Sequence, residues 1–287
     1  MLIAAVMSLT GHGINYGIDF AGGLNLQYNM GAAYDKADVE EALKAQGIEE
    51  FVVSSVGSDG TTVQIRVPTL SSEDEVQNLQ NGLESVLLEK YPDMDTDNAT
   101  ASYVGPVAGA TLVRNAVFSV LIAAALMLIY IAFRFDLFSG IAAVVGLLHD
   151  VLIMISFMVI LRSVIQMNSS FIAAMLTIVG YSINNTIVIF DRIRENNKKP
   201  ALAGQPRSEI VELSVKESLG RTINTTLTTL VTIVTLYILG VASIREFSLP
   251  IIIGILAGAY SANLINGYVW AALEDARLAR KSQKKAA

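Results

Sequence analysis

The segment Ile141–Leu161 reads IAAVVGLLHDVLIMISFMVIL, apolar but for Ser156 and for His149 and Asp150 near its centre. At 1.5 Å of rise per helical residue, about 20 such residues cross the roughly 30 Å of hydrocarbon in a bilayer. Four further runs of similar length carry no charge: Ala116–Phe133, Phe171–Phe190, Thr222–Val241 and Leu249–Leu273. The 287 residues are 53% hydrophobic and 16% charged, with a mean hydropathy of +0.51. That composition is too apolar for two soluble domains covering their own surfaces, so a helical membrane bundle is the expected architecture. Met1–Leu9 is apolar but too short to cross. It reads as a truncated or short first span in preference to a cleaved signal peptide, because it lacks a basic leading region and a clear small-residue cleavage site.

Charge divides the chain. Residues 11–110 hold 16 Asp and Glu against 4 Lys and Arg, whereas the remainder is basic. With the acidic part outside, alternation of spans places 13 of the 20 basic residues inside, among them Arg134, the 191–221 loop and the tail after Glu274, as expected for cytoplasmic loops. The expected plan is a partial span over 1–10, an outer domain over 11–110 and a five-span bundle over 111–273. The spans fall near 113–134, 138–161, 170–190, 222–241 and 249–273, with an inner loop at 191–221 and a basic tail at 274–287. Beside a span, that tail reads as an orientation signal touching anionic membrane lipids, not as a nucleic-acid patch.

The outer domain reads as β-α-β-β-α-β. Residues 15–28 form two short apolar runs around Asp19, Gly22 and Gly23, expected as strands interrupted by a turn or bulge. Asp35 caps a helix with Val39, Ala42, Leu43 and Ala45 on its apolar face, ending at Gly47. Phe51–Val56 and Thr61–Val67 flank Gly57-Ser58-Asp59-Gly60 as a hairpin. Ser72 and Glu75 form a capping box before Val76, Leu79, Leu83, Val86 and Leu87, and a last strand covers about Ala99–Val104. The order is that of a ferredoxin-like α+β sandwich, inserted after the first of six spans. Its acidic residues read mostly as solvated surface.

Ionisable and amide side chains inside spans are functional candidates by default. His149 and Asp150 are the first; Asp150 is either a proton carrier or a hydrogen-bonded packing residue between helices. Tyr181, Asn184 and Asn185 stand at i, i+3 and i+4, expected on one face of the third run with Thr177 a turn above. Asp191, Arg192 and Arg194 continue that helix with alternating charge. Arg221 opens the fourth run, whose Thr-rich start permits hydroxyl bonds back to the backbone. Gly254, Gly258 and Ala262 give the fifth run one smooth face for close packing, followed by Asn263 and Asn266. No phosphate-binding loop, zinc-protease motif or nucleophile elbow is present, Cys is absent, and there are two His. Neither an enzyme nor a cofactor or metal site is expected; work would draw on an ion gradient.

Taken in order, Gly17-Ile18-Asp19-Phe20-Ala21-Gly22-Gly23, Val104-Gly105-Pro106-Val107, Leu148-His149-Asp150-Val151, the run from Gly180-Tyr181-Ser182-Ile183-Asn184-Asn185-Thr186 through Asp191-Arg192-Ile193-Arg194-Glu195-Asn196, and Arg221-Thr222 resemble the SecF family of the bacterial SecDF export factor, in the RND superfamily. The resemblance covers nearly the whole chain. It implies a multi-pass protein of the bacterial cytoplasmic (inner) membrane with residues 11–110 on the periplasmic or extracellular side. It also implies SecD and the SecYEG channel as partners, with YajC and YidC as further candidates, a translocating preprotein as substrate, proton-driven export, and no nucleic acid. A passive membrane-anchored scaffold and a small RND-type exporter are the alternatives. Carried over by position, the intramembrane acid of the family motif falls at 185 and its basic partner at Arg221. Position 185 here is Asn, which cannot release a proton. Three readings fit that departure: an amide holding a protonated-like state, a proton step relying on Asp150 and acids of SecD, or a subunit that couples differently or not at all. In the resulting hypothesis Asp150, Asn184, position 185 and Arg221 line a seam facing SecD. Asp19, Gly22 and Gly23, with Gly105 and Pro106, are taken as structural residues.

Overall fold

The computed structural model describes residues 1–11, 13–56, 60–68, 70, 72–162 and 165–286, with the backbone alone for Val56, Pro106, Val107, Ala242, Ser243, Lys281 and 284–286. It divides into two compact units, one of Asn15–Ala116 with Gln166–Ser169, the other of Met1–Ile14, Val117–Ile165 and Ser170–Ala287. Helix α1 (Leu2–Leu9) belongs to the second unit. The first holds α2 (Ile18–Ala21), β1 (Gly23–Asn29), α3 (Lys36–Ala45), β2 (Val52–Val56), β3 (Thr62–Val67), α4 (Glu73–Lys90) and β4 (Asp95–Val104).

The four strands form one antiparallel sheet in the order β2-β3-β1-β4, the ferredoxin-like arrangement. Alternation along β1 buries Leu24, Leu26 and Tyr28, and along β3 Val63, Ile65 and Val67. Against them lie Val39, Ala42 and Leu43 of α3 and Val76, Leu79, Leu83 and Leu87 of α4. Full burial of each larger aliphatic side chain contributes about 1.5–3 kcal/mol, which makes this cluster the main source of the unit's stability. Both expected caps form: the Asp35 carboxylate accepts from the Ala37 N–H at 3.0 Å, and Ser72 Oγ from the Glu75 N–H at 3.3 Å.

Four details differ from the sequence expectation. Residues 18–21 are a turn of helix, not strand, because Gly22 (φ 78°) and Gly23 (φ 112°) reverse the chain before β1 begins. A Cβ on Gly23 would sit 2.5 Å from the Val67 carbonyl oxygen, so this position admits glycine alone. Strand β4 starts at Asp95, since a register shift between Gln27 and Asn29 lets pairing resume earlier in the chain. Ala45 and Val86 face outward, lying just beyond the width of their helices' buried stripes. The hairpin strands β2 and β3 pair as expected, while Gly57-Ser58-Asp59 lies outside the described residues.

The second unit continues with most of α5 (Pro106–Arg134), α6 (Leu137–Ile160), α7 (Ser169–Asn196), α8 (Arg207–Leu239), α9 (Ala242–Ser261) and α10 (Gly267–Ala286). A π-helical stretch, Ala262–Asn266, joins α9 to α10 without a break. Among the described residues, five helical segments are long and apolar enough to cross a membrane: Ala108–Arg134, Leu137–Ile160, Ser169–Asn196, Arg207–Leu239 and Ile244–Arg280. Helices α7 and α8 extend well into the expected 191–221 loop, which narrows to residues 197–206 with a short 3-10 turn at Pro200–Leu202. The basic tail is helical through Ala286. Gly254 of α9 packs on Ile178 and Gly258 on Ser182, so the smooth face of α9 lies against α7.

At the surface of the first unit, Asp38 receives Lys90 Nζ at 2.6 Å and the Tyr91 hydroxyl at 2.5 Å, tying α3 to the end of α4. The Lys90 ammonium and then the Tyr91 hydroxyl hold the Asp38 carboxyl below the usual carboxylate range. A lowered folded value means the tie is complete above the ordinary carboxylate range and lost as pH falls through the lowered one. The protection of the α3 amides against hydrogen exchange, taken relative to the intrinsic rate at each pH from neutral to strongly acid in the whole chain, should therefore fall on acidification, and Asp38→Asn should remove that component. An identical acid dependence in Asp38→Asn would refute the assignment.

Candidate functional site

A polar cluster sits inside the bundle where α6, α7 and the α9–α10 segment meet. Asp150 of α6 has no exposed surface. Its Oδ2 accepts from Ser182 Oγ of α7 at 2.5 Å and from Ser261 Oγ of α9 at 2.9 Å, while Oδ1 faces His149 Nδ1 at 3.0 Å. One carboxylate thus joins three helices. His149 is only partly covered, and its ring stacks on Tyr260 with centroids 5.7 Å apart. In apolar surroundings a buried carboxylate persists only when its oxygens are occupied, and here both are.

A second layer of amides adjoins it. Asn185 is 2% exposed and its Nδ2 has no hydrogen-bond partner among the described residues. Asn266 donates from Nδ2 to Thr186 Oγ1 at 2.7 Å, and Thr186 Oγ1 donates to the Ser182 carbonyl at 3.0 Å. Asn263 donates to the Ala259 carbonyl at 2.7 Å. Among the described residues, the buried Oδ1 atoms of Asn263 and Asn266 meet no hydrogen-bond donor. Both amides lie in the π-helical stretch, whose extra residue per turn turns side chains inward that a regular helix would aim elsewhere. Gly146 of α6 makes room: a Cβ there would lie 1.9 Å from Asn266 Oδ1.

The expected one-faced set on α7 separates. Asn185 points into the bundle, but Asn184 is exposed and lines an open cleft of about 420 Å³ with Leu126, Met127, Tyr130, Gly180, Ile183 and Ile187. Tyr181 is half-buried, its hydroxyl donating to Thr226 Oγ1 of α8 at 3.3 Å, and Thr177 bonds back to the Ala173 carbonyl. Arg221 is exposed on α8. Asp150 and Asn185 therefore occupy the interior, and Asn184 and Arg221 the surface. The Thr-rich start of the fourth apolar run, midway along α8, does bond back to the backbone, as at Thr225, Thr228 and Thr229.

Toward the other end of α7, Asp191 pairs with Arg134 at 3.4 Å, and Arg194 donates to the Arg134 carbonyl at 3.5 Å. Arg192 binds Glu195 along its own helix at 2.5 Å and Glu217 of α8 at 2.7 Å. Fully buried Asn196, not expected from the sequence, donates to Ser214 Oγ and Glu217 Oε2 and locks α7 to α8. Gly105 leads into α5, whose first residue is Pro106; the side chain of Pro106 lies outside the described residues.

Comparison with known proteins covers almost all of this. The family described as "Protein export membrane protein SecD/SecF, C-terminal" matches residues 84–276, and the "SecD/SecF GG Motif" matches residues 8–30, which include Asp19, Gly22 and Gly23. The chain is 36% identical over 252 residues to the protein translocase subunit SecF of Rickettsia bellii, covering 88% of this chain and 81% of that one. To the SecF of Alicyclobacillus acidocaldarius it is 34% identical over 288 residues, covering 99% and 89%. Among solved structures, SecDF of Thermus thermophilus, a translocon-associated membrane protein, is similar with a TM-score of 0.77 at 35% identity, covering 96% of this chain and 36% of that one. SecDF in a super-membrane-facing form is similar with a TM-score of 0.66 at 32% identity, covering 99% and 38%. The chain thus spans little more than a third of those solved chains.

The space at Gly146 is filled by Asn266, so Gly146→Ala should force the amide away from Thr186 and destabilise the bundle by about 1–3 kcal/mol, the usual effect of overpacking. Thermal unfolding of the detergent-solubilised protein, followed by Trp270 fluorescence, measures this. A midpoint equal to that of the parent chain would show that Asn266 is not held there.

Proposed function

This multi-pass membrane protein belongs to the SecF family of protein translocase subunits, and from that premise we propose that it serves as the SecF half of a SecDF-type export factor in the bacterial inner membrane. Its ferredoxin-like unit faces the periplasm. Its bundle pairs with SecD beside the SecYEG channel, and proton exchange within the membrane drives outer movements that help a preprotein across. The similarity to solved SecDF chains, of which this chain matches about a third, supports SecD as the partner. The exposed apolar side chains of α5 and α8, such as Leu121, Leu126, Val231 and Ile238, supply surface for that partner and for lipid, and Asn184 and Arg221 lie on the surface where SecD can reach them.

The single observation that carries proton coupling is Asp150, buried and shared by α6, α7 and α9. An amide at 185 has no proton to give, so the proton step in this chain runs through the His149–Asp150 pair, with His149 as the partly exposed member. Gain or loss of a proton on Asp150 changes what its oxygens can accept, and with it the packing of three spans. Such a difference between two states is what an ion needs in order to bias a conformational equilibrium. A passive scaffold is the second reading, favoured by Asn185 itself.

Co-purification in mild detergent should retain a SecD-type partner and the channel. In proteoliposomes holding that complex, Asp150→Asn should abolish the proton-gradient-dependent part of preprotein export while leaving partner retention intact, and Asn185→Asp should increase it. Gradient-dependent export unchanged by Asp150→Asn would remove Asp150 as carrier. Absence of any gradient effect in the parent chain and in Asn185→Asp alike would establish the passive reading.

A further inference from the structure

The seven residues Gly17–Gly23 touch more of the molecule than a connecting turn requires. On one side, the Gly17 N–H donates to the Met167 carbonyl and the Met167 N–H to the Asn15 carbonyl, each at 2.8 Å, so that Tyr16 and Met167 form a parallel bridge. Two residues on, Asp19 Oδ2 accepts from the backbone N–H of Ser169 at 2.7 Å. Ser169 is the first residue of α7, whose leading N–H groups have no partner within the helix and form its positive end. Asp19 therefore caps α7 from 150 residues away in the chain. Gly17 is buried, and a Cβ on it would lie 3.1 Å from Asn168 Cβ. On the other side, Gly109 in the early turns of α5 packs on the same turn, with the Phe20 carbonyl oxygen 3.0 Å from where its Cβ would be. The turn ends in Gly22 and Gly23, which lead directly into β1, an interior strand paired on both edges. All of these contacts lie within the unit Asn15–Ala116 with Gln166–Ser169.

From Ser169, α7 runs without interruption to Asn196 and carries Ser182, Asn185 and Thr186. We propose that Asp19 is the positioning residue of a mechanical joint: it holds the N-terminus of α7 to the Gly17–Gly23 turn, so that a displacement of α7 reaches β1 directly. A helix is stiff along its axis, and the two backbone bonds and the carboxylate bond are too short to absorb a shift of about one helical residue, 1.5 Å, without breaking. The turn therefore moves with α7 or comes off it. Gly22 and Gly23, at positive φ, pass the movement into the middle of the sheet. The inference rests on the proposal that the bundle drives the outer domain, and it names the route.

The chain has no cysteine, so Tyr16→Cys with Met167→Cys offers a covalent substitute for the bridge. In the reconstituted export complex, Asp19→Ala should lower the gradient-dependent part of export about tenfold, the scale of one lost hydrogen bond to a charged group, and leave gradient-independent export and partner retention unchanged. Asp19→Asn, which still offers an acceptor oxygen, should keep most of the effect. Oxidising the cysteine pair within Asp19→Ala should restore it, and reduction should abolish it again. Unaltered gradient dependence in Asp19→Ala, or no rescue on oxidation, overturns the joint. Hydrogen exchange judges the joint even if the parent chain shows no gradient effect and the proposed function fails. In Asp19→Ala the amides of Ser169–Phe171 and those of early β1 should exchange faster together and both slow on oxidation; a change in one set without the other overturns the joint.

Discussion

The bundle is organised around the need to keep one carboxylate satisfied in an apolar interior. Asp150 has no exposed surface, and among the described residues its oxygens are held by Ser182, Ser261 and His149. Removing such a group from water costs several kcal/mol, which only short, well-placed donors offset. Small residues allow that approach. Gly258 lets α9 lie against Ser182, Gly254 lets it lie against Ile178, and Gly146 opens α6 to Asn266. The π-helical stretch at 262–266 follows from the same demand, because Asn263 and Asn266 turn inward there beside the Asp150 layer. Interhelical bonds of this kind contribute on the order of 1 kcal/mol each, so the cluster sets how the spans are arranged more than how strongly they associate.

Much of the fold was legible because it rests on local signals. The spans follow from uncharged apolar runs, the ferredoxin-like unit from alternation in β1 and β3 and from the caps Asp35 and Ser72, each a short-range rule. What was not legible depends on contacts distant in sequence. The helical turn at 18–21 forms in a segment of strand-like composition: Gly22 and Gly23 reverse the chain after it, and Asp19 is claimed by Ser169 and the Gly17 N–H by Met167. The early start of β4 depends on a register shift that composition does not encode.

The site divides in the same way. That Asp150, His149 and Asn185 are candidates follows from polar residues in an apolar run, but the contacts of Asp150 do not: Ser182 and Ser261 lie 32 and 111 residues from it. Serine in a span is common, and only its alignment with a buried acid gives it meaning. Helical spacing placed Tyr181, Asn184 and Asn185 together, yet neighbours at i and i+1 diverge by about 100°, enough to send Asn184 to the surface and Asn185 inside. Asn196 went unread because it stands beyond the apolar run among charges, where an amide is usually solvated; Ser214 and Glu217 of α8 are what bury it. The signal that could have found it is the reach of α8 to Arg207, well before the apolar run at Thr222.

Position 185 bears on what kind of machine this chain can be. An amide presents the same donors and acceptors whatever the ion gradient, so it stabilises both conformations of a bundle without regard to protonation, and an element indifferent to the driving ion cannot bias an equilibrium. Asn185 is buried with a donor unused among the described residues, which is a structural burden rather than a switch. The groups here whose charge can change, among the described residues, are Asp150 and His149, and Asp150 contacts α7 through Ser182, one turn before Asn185. On the proposed reading, a protonation event at Asp150 acts on α7 even with 185 silent, because Ser182, which donates to Asp150, and Asn185 belong to one helix. On that reading, the group that acts on α7 lies about a turn from position 185 and acts on that same helix.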